Sequence, residues 1–300
     1  MAIQQGYQPN PVARRLQKGK TETIGIVITP EQNYFSDTFF IDLLSGISNQ
    51  ITRAGYELIL GVASDEEHEM QSMRRMVEGK RVDGMILTLI REQDPRVGYL
   101  LDRDFPFVLY GRTRETRPYA FVDMDGKQAF EKACTYLAGL GHRRIALLNG
   151  EPGFMFPVGC REGYESGLFL SGLELDPDLI REWKHKDPSQ SSYRWTLELF
   201  KNDNPPTAIL FQTEAVNGIF KALDELDLQP GKDVALIGYD DLEIARIHRP
   251  SLSVLRPQAR EAGQRVVNIL MEVIKGEDPG KFQEIHQVEM VIRETSLPPS

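Results

Sequence analysis

Short continuous apolar runs recur along this 300-residue chain, separated by stretches in which apolar positions fall at helical spacing. IGIVI (Ile24 to Ile28) has the pattern of a strand buried on both faces. After the polar and aromatic loop TPEQNYFS, Phe40, Leu43, Leu44, Ile47 and Ile51 predict a helix from about Thr38. Asp37 is placed to cap it and Gly55 to end it before the strand ELILGV. The alternation continues with a helix near Glu66 to Glu78 and strands in VDGMILT, FPFVLY and AFVD. A second series follows: helix Gly126 to Leu140, strand RIALLN, helices Arg161 to Ser171 and Ser191 to Lys201, strand TAILF, helix Glu214 to Leu226, strand DVALIGY. Strands alternating with helices predict the α/β class, with two Rossmann-like subdomains whose parallel sheets carry helices on both faces.

The last 50 residues hold a strand SLSVL, a long amphipathic helix from Ala259 to Lys275 and the strand-like FQEIHQVEMVIRE. They are too few for a third domain. If the helix returns to the first sheet and the last strands to the second, two subdomains are joined by three crossings. The division expected is 21–125 with 256–278, and 126–255 with 279–300, preceded by a separate segment 1–20. Such a chain makes a hinged cleft. Ligands of open α/β sheets bind outside the carboxyl ends of strands, which marks Arg112 after FPFVLY, Asp123 closing AFVD and Asp240 after DVALIGY. Arg161, at the predicted start of a helix, can reach the same cleft as a fork-shaped donor. Of the aromatics Tyr34, Phe35, Phe39 and Phe40, helical spacing assigns Phe40 to the core; the others are candidates to stack on a ligand ring.

Charge adds an asymmetry. The first 20 residues carry Arg14, Arg15, Lys18 and Lys20 and no acid, so they are +4 within a chain of net charge −9. Within them NPVARRLQKGK has an N-cap asparagine, a proline suited to the first helical position and Gly19 as a stop. That helix has only about two turns, and isolated helices under roughly 12 residues are marginal in water. It is either a frayed basic terminus or a helix that folds on a polyanion. The remaining composition, 41% apolar and 26% charged with pI near 5.2, is that of a globular protein. There is no run of 18 apolar residues and no apolar signal region at the N-terminus, so a cytoplasmic location without a membrane partner is expected. Cys134 and Cys160 lack Cys-x-x-Cys spacing and fit two reduced thiols.

No Walker loop, His-Glu-x-x-His pair or Gly-x-Ser-x-Gly elbow occurs. Gly139-Leu-Gly141 closes a helix and precedes a strand, the reverse of the order a dinucleotide fingerprint needs. His142 beside it reads as structural. Asp240 and Asp241 are open to use as a general-acid pair or as metal ligands. With no His or Cys cluster near them in sequence, hydrogen bonding to a ligand hydroxyl or amine is favoured, and no metal or cofactor is expected.

Several motifs in order resemble the lactose-repressor/galactose-repressor (LacI/GalR) family of bacterial transcription regulators. They are GYQPNPVARRLQKGKTETIGIVI, FFIDLLSGI, RVDGMIL, GLGHRRIALLNG, TAILFQTEAVNGIFKAL, DVALIGYDD, HRPSLSVLRPQ and VIRETS. The resemblance covers nearly the whole chain. It implies a periplasmic-binding-protein-like core with three crossovers, a homodimer, and a small-molecule effector such as a sugar, with no catalysis. It also implies a hinge helix that enters the operator minor groove, with Leu16 as the wedge and Ala13, Arg14 and Arg15 beside it. Only the tail, AIQQGY, of the family's helix-turn-helix is present, so this fragment is expected to bind DNA weakly or not at all. Among effector positions, Asp240 matches the family's ligand-bonding aspartate and Phe39 a frequent pocket residue, while Gln212 stands where Asn is common. Gly111 stands before Arg112 where Asp is frequent, Cys160 replaces a frequent arginine one step before Arg161, and Asp187 falls near the place of a pocket aromatic. The rival readings are a free-standing solute-binding protein of the same fold and a sugar- or nucleoside-processing enzyme using Asp240 and Asp241.

Overall fold

The computed structural model describes residues 20–29, 38–183 and 187–298. The hinge residues Ala13, Arg14, Arg15 and Leu16 lie outside these, as do Tyr34, Phe35 and Asp37.

The first series of elements is β1 (Thr23–Ile28), α1 (Thr38–Arg53), β2 (Glu57–Val62), α2 (Glu66–Glu78), β3 (Gly84–Leu87), α3 (Pro95–Leu101), β4 (Phe107–Tyr110) and β5 (Ala120–Met124). The second is α4 (Gly126–Gly139), β6 (Ile145–Asn149), α5 (Met155–Leu170), β7 (Ile180–Glu182), α6 (Pro188–Phe200), β8 (Ala208–Gln212), α7 (Val216–Glu225), β9 (Ala235–Tyr239), α8 (Glu243–Ile247) and β10 (Ser253–Arg256). The chain ends with α9 (Ala259–Ile274), β11 (Gln283–His286) and β12 (Glu289–Val291).

Two six-stranded sheets result, ordered β11-β5-β4-β3-β1-β2 and β12-β10-β9-β8-β6-β7. Every pairing is parallel except β10 with β12. In β1, Ile24, Ile26 and Ile28 point at α1 and α9, and Val27 at the α2 side; all are buried, which explains the unbroken apolar run. Burying each such side chain contributes about 1.5–3 kcal/mol before chain entropy is counted. Phe40 is 3% exposed in this core, as its spacing predicted. Helices α4 and α5 cover one face of the second sheet and α6 and α7 the other. The α1–α9 contact depends on two glycines. A Cβ on Gly46 would stand 2.1 Å from the Arg260 carbonyl oxygen, and one on Gly263 2.4 Å from that of Leu43.

The chain crosses between sheets at Met124–Gly126, Arg256–Ala259 and His286–Glu289, the three expected crossings. One assignment is corrected. The expectation placed all of 279–300 with the second subdomain, but β11 pairs in parallel with β5 of the first sheet, Ile285 opposite Asp123. Helix α9 lies on that sheet, so the chain leaving it pairs beside β5 before β12 returns to β10. The fifth helix begins at Met155 rather than Arg161. Phe154 occupies its N-cap without a side-chain bond, so no capping residue announced the start, and Pro157 is tolerated in the first turn. Helix α6 begins at Pro188, earlier than the expected Ser191, because Asp187 Oδ1 accepts from Gln190 N at 2.8 Å. Asp187 is therefore a cap and not a counterpart of a pocket aromatic. Strand β7 and the short helices α3 and α8 were not expected.

Candidate effector cleft

The carboxyl ends of β4, β5 and β9 meet the first turns of α5 where the chain crosses between subdomains. At the centre is Tyr239, 4% exposed, its ring 4.6 Å from Phe156 and 6.0 Å from Phe130. Burial pushes its hydroxyl well above the ordinary range, and the negative ends of Tyr110, Asp240, Cys160 and Asp123 push the same way. That set of neighbours shows which groups the fold brings together: β4 and β5 from one sheet, β9 and α5 from the other.

On the first-subdomain side Arg112 Nε donates to Asp123 Oδ2 at 2.5 Å. Burial raises the Asp123 carboxyl above its usual range, against the opposing charge and hydrogen bond of Arg112. Gly111 has φ +111, a conformation unfavourable to a residue with a Cβ, and turns the chain out of β4 toward Arg112. Phe39, at the start of α1, lies 5.9 Å from the ring of Tyr110.

On the second-subdomain side Asp240 adopts φ +87 while its N–H still donates to the Leu255 carbonyl at 2.8 Å. Its neighbour Asp241 has a different task. The Asp241 side chain is 3% exposed and pairs with Arg246 and Arg293 at 2.8 Å and with Arg256 at 3.5 Å. Burial pushes its carboxyl up, but the hydrogen bonds from Arg246 and Arg293 outweigh this and hold it below the usual range. The two aspartates are thus not an acid–base pair. Gln212, at the end of β8, lies against Gly150, where an added Cβ would stand 2.6 Å from its Nε2; that Nε2 is buried and has no partner among the described residues. The same holds for Oδ1 of Asn149.

Arg161 does not begin a helix but projects from the second turn of α5, where Nε meets Glu165 at 2.9 Å and Nη1 meets Glu182 at 3.4 Å. It borders a cavity of about 320 Å³ lined also by Glu92, Glu162, Glu165 and Glu182. Beside this cavity the loops after β3 and β6 join the two subdomains. Glu92 N donates to Gly153 O and Met155 N to Ile90 O, both at 2.9 Å, and Arg91 lies over Phe154. The loop carrying Arg91 is anchored beneath by buried ion pairs of Arg96 with Glu69 and Asp94, each at 2.6 Å.

Sequence reasoning thus reached Arg112, Asp123, Asp240 and Phe39, which surround the Tyr239 junction, and Arg161 and Gln212, which stand further along the cleft. It missed Tyr110 and Tyr239. Both end apolar strands, and an aromatic with a hydroxyl at a strand's carboxyl end was the available signal. The remaining candidates are structural. His142 is 2% exposed and bonded to Thr207 Oγ1 and the Leu297 carbonyl. Both thiols are buried and raised by burial, that of Cys134 to about 12. Among the described residues no group of three or more His, Cys, Asp or Glu side chains is arranged to hold a metal ion.

Two parallel-sheet subdomains, three crossings and a cleft at the strands' carboxyl ends define a hinged ligand-binding core. The sequence profile of the periplasmic binding protein-like domain matches residues 134–296. The helix-turn-helix-type transcriptional regulator AglR of Rhizobium meliloti is 31% identical, over 98% of this chain and 83% of its own. RafR of Escherichia coli, of the same type, is 31% identical over 94% of this chain and 83% of its own. A LacI-family regulatory protein from Chloroflexus aggregans superposes with a TM-score of 0.83 at 28% identity, over 92% of this chain and 99% of its own. A complex of the regulator CelR with cellobiose has a TM-score of 0.84 at 22% identity, over 97% and 92%, a likeness of fold. The chain belongs to the LacI family of transcription regulators and contains that family's ligand-binding core. Its relatives are regulators, not enzymes.

Proposed function

We propose that this core senses a sugar or similar polar molecule for a sequence-specific repressor that works in the cytoplasm as a homodimer on operator DNA. The observation that carries the reading is the convergence of Arg112–Asp123 from one subdomain and Asp240 from the other on the Tyr239 junction, beside a crossing of the chain. A ligand bridging these groups has differential contacts with the open and closed cleft, which is what a population shift requires. Phe39, Arg112, Asp123, Arg161, Gln212 and Asp240 are the residues proposed to contact it. Cellobiose bound to CelR supports a sugar as its class. Ala13, Arg14, Arg15 and Leu16, outside the described residues, are proposed as the segment that meets the minor groove.

A thermal-shift screen of neutral mono- and disaccharides tests the effector class. Saturating ligand at 100 times its dissociation constant adds about 2.7 kcal/mol of stability. Stabilisation by at least one sugar, weakened at least about tenfold by Asp240→Asn, is the expected result. Chemical turnover of a ligand that is lost in Asp240→Asn would replace the sensor by an enzyme. With the DNA-reading module attached, Leu16→Ala is expected to weaken operator binding and leave effector affinity unchanged; equal operator affinity would remove the wedge.

A further inference from the structure

Among the described residues, the basic groups at the cleft already have acids. Arg112 holds Asp123, Arg114 holds Glu92 at 2.8 Å, Lys127 holds Glu162 at 3.2 Å, and Arg161 is shared between Glu165 and Glu182. Among the described residues the cavity wall has four glutamates beside the guanidinium of Arg161. Behind the wall stands an uncharged hydrogen-bonding group. Asn149 is 1% exposed, its Nδ2 donates to Pro157 O at 2.9 Å and Glu182 Oε1 at 3.4 Å, both cavity-lining residues, and its Oδ1 has no partner among the described residues. An arginine beside a ligand cleft is ordinarily a fork for phosphate or carboxylate. Here two nitrogens of the fork, Nε and Nη1, already meet carboxylates of the protein.

We propose that Glu165 and Glu182 are specificity-determining residues that neutralise Arg161 and so restrict the cleft to uncharged, hydroxyl-bearing ligands, excluding phosphate esters and carboxylates. The proposal rests on the cleft being the effector site. An anion approaching Arg161 meets the carboxylates of Glu165 and Glu182 already beside the guanidinium, whereas a hydroxyl can donate to those carboxylates as they stand. Replacing both glutamates by glutamine keeps their shape, and at position 182 an acceptor for Asn149, while releasing Arg161, so the same cleft is converted into an anion site.

The test titrates the wild-type chain and the variant Glu165→Gln/Glu182→Gln with glucose, glucose 6-phosphate and inorganic phosphate at constant ionic strength. Binding is read from the fluorescence of the stacked pair Trp183 and Trp195, the chain's two tryptophans, and from thermal shift. The single variant Glu165→Gln, at a half-exposed helix position, serves as a check that folding is intact. The wild type is expected to show no response to either phosphate. The double variant is expected to gain at least about tenfold in affinity for glucose 6-phosphate, and adding Arg161→Gln should abolish the gain. Wild-type binding of glucose 6-phosphate as tight as that of glucose overturns the proposal, whether it comes through Arg161 or through Lys184 and Lys186, which lie outside the described residues. So does a double variant whose response to both phosphates is unchanged. If the phosphate arms behave as expected while no neutral sugar of a broad panel binds, the sugar reading fails and the charge filter stands.

Discussion

The guanidinium of Arg91, in the loop after β3, lies 5.6 Å from the ring centroid of Phe154, which precedes α5 in the other subdomain. The same two residues form an isolated antiparallel bridge, and Arg91 is held from its own side by Glu66 and Glu69 at 3.0 Å. In sheet order β3 and β6 stand away from the crossing strands β5 and β10, so the bridge holds the cleft at a point remote from the hinge. A cation over an aromatic face contributes about 0.5–1 kcal/mol at a partly exposed site. Phe154→Leu is expected to weaken the closed cleft by that amount and effector affinity by about two- to fivefold, measured by titration. Unchanged affinity would show that the bridge has no share in closure.

Asp241 connects α8 with two of the three crossings, since Arg256 precedes one and Arg293 follows another. Its folded-state pKa lies below the ordinary value. The stability it contributes is therefore complete above the unfolded carboxylate pKa, roughly 3.9, and is lost as pH falls through the lower folded value. In denaturant unfolding measured from pH 6 down to pH 3, Asp241→Asn should lower stability at the upper end and flatten the acid decline. A parallel downward offset of the whole curve would contradict the ion-pair account.

Asp123 has the opposite sign. Its folded pKa is raised, chiefly by burial, so the charged carboxylate costs stability as pH rises from below the unfolded pKa through the folded one. Arg112 opposes that rise. Arg112→Gln is expected to raise the Asp123 pKa further, seen in carboxyl carbon NMR, and to make effector binding weaken at mildly acidic pH. A pKa that stays put would show that the 2.5 Å contact is electrostatically idle.

Gly46 meets the backbone of Arg260 where α1 crosses α9. Gly46→Ala must separate the two helices, at a cost of about 1–3 kcal/mol typical of overpacking. Gly139→Ala, whose added methyl meets nothing within 4 Å, is the control and should be close to neutral. Thermal denaturation of the two variants tests the difference.

Local patterns determined the two β/α series, the burial of β1 on both faces and the place of Phe40 in the core, because strand and helix periodicities are written in adjacent residues. They also marked Arg112, Asp123 and Asp240 as candidates for one cleft, since ligand sites of parallel sheets follow strand ends. What only the tertiary structure decided depends on residues far apart in the chain. β11 went to the first sheet because α9 delivers it there. Asp241 became a clamp because Arg246, Arg256 and Arg293 converge on it. Beyond its helical neighbour Glu165, Arg161 meets Glu182, a residue 21 positions away on a strand the pattern did not announce. Charge pairing across that distance depends on the meeting of two surfaces, and no periodicity in the sequence encodes it.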